Sequence, residues 1–130
     1  MTKKEKFIKE LEIRKEVNEA AKRMILLANE YFPHKQASFL CCAQLDNFNQ
    51  IINLEIERAE KLDWNSASEV AELAAYCTEE QKRNDPGDVI DVMDRIIKDV
   101  VPPEGFLDRA VDIMATVMKK YLELEILQSM

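Results

Sequence analysis

Histidine occurs once in the 130 residues, at His34, and cysteine only three times. A zinc centre of the usual kind takes four ligands from these two residue types, and no C-x-x-C or paired-histidine spacing offers them. With two glycines and four prolines, the chain has no glycine-rich loop to cradle a phosphate and few interruptions of regular structure. No nucleophile elbow of the G-x-S-x-G kind is present. No window comes near the ~18 uninterrupted apolar residues of a membrane span. The opening stretch, MTKKEKFIKELE, has charge but no apolar central region. This argues against a secretory signal, and we expect a cytoplasmic protein.

A strong basic patch is also missing. Net charge is −7. Residues 1–16 hold six Lys/Arg and four Glu, whereas residues 55–104 hold fourteen Asp/Glu against six Lys/Arg. An acidic middle of this kind argues against direct binding to a nucleic-acid backbone, which needs clustered cations. It suits a solvated helical surface, and a partner with a basic face.

Apolar residues make up 47% of the chain, enough for a core in a single domain covering residues 1–130. Alanine, leucine, isoleucine, glutamate and lysine dominate and favour helix. The breakers divide the chain into five helical segments, at about 3–32, 35–62, 67–83, 86–101 and 104–129, predicting an all-α, single-domain bundle of about five helices with short connections.

In the first segment Ile13, Val17, Ala20, Met24, Leu27 and Tyr31 recur at steps of four and three. Ala21, Ile25, Ala28 and Phe32 form a second stripe beside them. Pro33 is expected to end this helix. In the second segment Cys41, Leu45, Phe48, Ile52, Ala59 and Leu62 share a face, with Leu40 and Ile51 beside it. Ser66 stands three before Glu69, a capping-box spacing, ahead of a third helix that turns Val70, Leu73, Ala74 and Cys77 inward. Asp85, Pro86 and Asp88 make a start signal for the fourth, expected to bury Val89, Met93, Ile96, Ile97 and Val100. The fifth carries Leu107, Val111, Met114, Met118 and Tyr121 on one face. Ala110, Ile113, Val117, Leu124 and Ile126 widen the apolar arc. So wide an arc suggests burial on two sides, by the domain's own core and by a second subunit. Val117 and Leu124 are therefore candidate contact residues of a homodimer.

Cys41 and Cys42 are neighbours inside a helix, where adjacent side chains diverge by about 100°. A disulfide between them would distort the backbone, and an odd, sparse thiol count suits a reducing compartment. We read the cysteines as packing, with Cys41 and Cys77 buried and Cys42 at most partly exposed. The competing reading, an oxidation-sensing thiol, needs an exposed sulfur of low pKa. His34, in a turn, is expected to be exposed or to cap a helix. Trp64, in an interhelical link, covers the end of the core or, on the sharper reading, serves as a partner hot spot.

The one pattern with chemistry in it is acidic. Glu69-x-x-Glu72 and, after fifteen intervening residues, Asp88-x-x-Asp91 place carboxylates three apart on successive helices, where they share a face. Two such pairs could hold Mg²⁺ through oxygen ligands and activate water for attack on a phosphate. Over about residues 66–100 the pattern resembles the all-α nucleotide pyrophosphohydrolases of the MazG type, with Asp88 standing where that family has glutamate. The resemblance implies Mg²⁺-dependent release of pyrophosphate from nucleotides.

Three functions follow as expectations. The first is a small acidic module that binds a protein and works as an adaptor or inhibitor by occupying its surface, with no cofactor. The alternative is the pyrophosphohydrolase, with Glu69, Glu72, Asp88 and Asp91 as the metal site. A helical assembly protein is the third.

Overall fold

A computed structural model describes residues 1–32 and 34–130; Pro33, expected to end the first helix, lies outside the described residues. The helices are α1 (Lys3–Tyr31), α2 (Lys35–Lys61), α3 (Ala67–Arg83), α4 (Pro86–Ile97) and α5 (Phe106–Gln128). The all-α class holds. The expected five-helix bundle is corrected in one respect: the close helix pairings are α1 with α2, α1 with α5, α1 with α4, and α2 with α4, and α3 takes part in none of them. The bundle proper is four-helical, and α3 is attached to its side.

At 29 residues, or about 43 Å at 1.5 Å per residue, α1 is the spine. Its two apolar stripes explain why it can serve two neighbours. Ala21, Ile25 and Ala28 meet Cys41, Leu45 and Phe48 of α2 and Val89 and Met93 of α4 in the main core. On its other side Ile13 meets Leu124 and Leu127 of α5. Thr2 caps its start through a reciprocal pair, Glu5 N–H donating to Thr2 Oγ1 at 3.1 Å and Thr2 N–H to Glu5 Oε2 at 3.3 Å. The main stripe of α2 is buried as expected except for Leu62, which is half-buried. Leu40 is the larger departure, standing 59% exposed.

The start signals of α3 and α4 operate locally. Glu69 N–H donates to Ser66 Oγ at 3.4 Å, a cap without the reciprocal bond of a full box. Gly87 N–H donates to Asp85 Oδ1 at 2.8 Å, with Pro86 in the first turn. Leu73 and Cys77 secure α3 against Ala59.

The expected fourth helix is too long by a turn. It stops at Ile97, leaving Ile96 and Val100 exposed rather than buried. Pro102 and Pro103 lack the N–H groups that would bond the carbonyls of Lys98 and Asp99 in a continued helix. The chain tightens instead, with Val100 N–H donating to Ile97 O at 3.0 Å. It turns at Gly105, whose φ of 89° favours glycine, with Phe106 N–H donating to Pro103 O at 3.2 Å. Phe106 then meets Tyr31 and Phe32 edge-on, at centroid distances of 5.5 and 5.2 Å, which pins the start of α5 to the end of α1.

Candidate functional site

The four acidic residues of the two pairs all face solvent. Glu69 and Glu72 are exposed on α3, and Asp88 and Asp91 are exposed on α4. Glu72 lies 3.9 Å from Arg58 of α2. Among the described residues no three carboxylate, cysteine or histidine side chains converge as metal ligands would. Trp64 is half-buried; its indole N–H donates to Ala59 O at 2.8 Å and its ring meets Phe7 edge-on at 5.6 Å. It therefore fastens the α2–α3 link to α1. His34 is exposed at the start of α2 and makes no side-chain cap bond; its backbone N–H donates to Asn29 Oδ1 at 2.9 Å.

The two faces of α5 exchange the roles expected of them. Leu124, a candidate partner contact, is buried against Ile13, and Val117 is half-buried. The stripe expected to face the core, Leu107, Val111, Met114, Met118 and Tyr121, points outward, each residue between 45% and 68% exposed. Leu122 and Ile126 extend this outward surface. Two ion pairs accompany this orientation. Arg109 Nη1 lies 2.8 Å from Glu30 Oε1, and Lys120 Nζ lies 2.7 Å from Glu16 Oε2. Both cations share a helical stripe with Ile113, Leu124 and Leu127.

A second site lies inside. The second stripe of α1 continues at the same steps from Ala21 back through Asn18 and Arg14 to Leu11 and Phe7, and the stripe of α2 passes through Glu55 between Ile52 and Ala59. These polar interruptions meet across the α1–α2 interface. Asn18 Nδ2 donates to Asn49 Oδ1 at 2.8 Å, and Asn49 Nδ2 donates to Glu19 Oε1 at 2.9 Å. Beside them opens a cavity of about 270 Å³, whose lining includes Arg14, Asn18, Glu55, Glu80, Asp85 and Tyr121. Glu55 is 3% exposed. Its Oε2 and the Arg14 Nε are both buried without a hydrogen-bond partner among the described residues.

Burial pushes the Glu55 carboxyl above its usual range, and the nearby Glu80 adds to this; a hydrogen bond from the Cys77 thiol and the charge of Arg14 pull the other way. An unpartnered buried carboxylate oxygen is costly, so the fold carries unused binding capacity at this cavity. Sequence reasoning stepped over it. The available signal was the glutamate that keeps the rhythm of an otherwise apolar stripe.

The thiols are placed as the packing reading expects: Cys41 and Cys77 are buried and Cys42 is half-buried. Burial raises the pKa of all three, most of all Cys77, which also faces Glu55. A thiol-reactive disulfide reagent should therefore label the native protein slowly and incompletely, Cys42 first and Cys77 last. Rapid, stoichiometric labelling of all three under native conditions would contradict the packing.

Among the described residues no helix is long and apolar enough to cross a membrane. Comparison of the chain with protein-family models, with curated proteins and with solved structures gives no match.

Proposed function

We propose that the protein is a helical protein-binding module, an adaptor or inhibitor, whose docking face is the outer side of α5. The observation that carries this reading is the run Leu107, Val111, Met114, Met118 and Tyr121, five apolar residues at steps of four and three, all exposed. That spacing is the seam of a helix that pairs with another helix. Contiguous exposed apolar surface of this kind marks interaction sites in soluble proteins. Methionine at two of the five positions suits an adaptable contact.

A second copy of the chain is the simplest occupant, since a two-fold pairing covers the exposed seam with the same surface from the other copy.

Sedimentation at tens of micromolar tests self-pairing, with a mass of twice 15.1 kDa expected. The double variant Val111→Glu, Met118→Glu changes only exposed positions. It should lose the dimer, and any partner captured by the wild type, while keeping its helical circular dichroism. A single-chain mass at every concentration would overturn self-pairing. A partner held equally well by the double variant would move the docking face off α5.

A further inference from the structure

We propose that the cavity between α1, α2, α5 and the α3–α4 junction is a binding site for a small organic cation, an ammonium group on a compact apolar body, with Glu55 as its anchor. The floor is buried: Glu55 and Asn18 are 3% exposed each. The rim is open, since Asp85 and Tyr121 are exposed. The charge of the lining decides the sign of the ligand. Three carboxylates, from Glu55, Glu80 and Asp85, face one cation, Arg14.

The three carboxylates are not equally available. Asp85 caps α4 through Gly87, and Glu80 accepts from Asn84 Nδ2 at 3.2 Å and lies near Arg83. Glu55 Oε2 has no partner among the described residues and is the acceptor an incoming N–H donor would take. A charge-assisted bond to a carboxylate is about twice as strong as a neutral one.

Size and apolar lining set the rest of the ligand. Val17, Phe48, Ile52 and Leu124 form the apolar part of the wall. A water molecule takes about 30 Å³, so one or two waters could satisfy Glu55 and Arg14 and still leave most of the roughly 270 Å³ over. That remainder suits an aryl or short alkyl group, at the lower end of the usual size of small-molecule sites. A bare divalent cation fits poorly, because the acidic groups do not converge on one point.

The test uses the whole chain with phenethylamine as probe and phenethyl alcohol as its uncharged match. Amide resonances are followed by nuclear magnetic resonance during titration to millimolar ligand. The amine should give saturable shifts confined to the cavity lining, residues 14–18, 48–55, 80–86 and 121–124. The alcohol should bind at least about tenfold more weakly, the loss of one charge-assisted bond. Glu55→Gln, if folded by circular dichroism, should weaken the amine by a similar factor. If that variant does not fold, the amine–alcohol comparison on the wild type decides alone. Absence of saturable shifts with the amine, equal binding of the alcohol, or shifts confined to the outer acidic surface of α3 and α4 would each overturn the proposal.

Discussion

Leu45→Ala is expected to destabilise the protein by about 3 kcal/mol, lowering the midpoint of thermal unfolding by roughly 10 °C. Leu45 is 1% exposed and sits where α1, α2 and α4 meet, among Ile25, Phe48 and Met93. The lost methyl groups leave a void lined by three helices that are themselves packed together, so little can relax to fill it. A loss of that size is a large part of the ~5–15 kcal/mol that holds a domain folded. Leu73→Ala makes the instructive contrast. Leu73 is wholly inaccessible, but its cluster fastens only α3, which lies outside the close helix pairings. Its loss should appear mainly as faster hydrogen exchange in α3 amides, with α1, α2 and α5 still protected. Urea unfolding measures the first effect, and a change below about 1 kcal/mol would contradict the three-helix core. Exchange that accelerates evenly across the chain in Leu73→Ala would contradict the attached role of α3.

Glu55→Gln should stabilise the ligand-free protein at neutral pH by about 1 kcal/mol, or roughly 4 °C. Burial, the leading cause, raises the folded-state pKa of Glu55 above its unfolded value. The folded state then holds the proton more tightly than the unfolded chain does. Its stabilising contribution is complete below the unfolded glutamate value of about 4.3 and is lost as pH rises through the higher folded value. Ionising the buried carboxyl is what costs stability as pH rises, and glutamine, neutral throughout, does not carry that cost. The advantage of the variant should shrink as pH falls toward and below 4.3. Thermal unfolding of both proteins across that range measures it. A variant less stable at neutral pH would mean that Arg14 and the Cys77 thiol outweigh burial.

The course of α1 was legible because both of its stripes are apolar and both find a neighbour, so no choice of face was needed. The main stripe of α2 was legible for the same reason, down to Cys41 and Ala59. The rotation of α5 was not. Its Leu107 and Ile113 stripes have the same period, and the face turned inward is the one whose Arg109 and Lys120 meet Glu30 and Glu16 of α1, 79 and 104 positions away in sequence. Hydrophobic pattern within one helix cannot register a cation's partner on another. The end of α4 was misjudged because Ile96 and Val100 continue the apolar rhythm beyond the point where missing proline N–H groups stop the helix. The cavity was hidden in a subtler way. Glu55 on α2 and Arg14 on α1 each look like solvated residues when read alone, and only the pairing of the two helices brings both inside.

The placement of α1 also sets an order of events during synthesis. Its contacts with α2 join near neighbours in sequence and can form as a hairpin soon after both helices leave the ribosome. Its contacts with α5 join Ile13 to Leu124 and Leu127, so one whole apolar side of α1 stays uncovered until nearly the last described residue has been made. At ~5–20 residues per second, that wait lasts several seconds. In that interval the Ile13 side of α1 has no partner from its own chain. Docking of α5 is the step that ends this exposure, and it brings the outward Leu107–Tyr121 seam into its final orientation at the same moment.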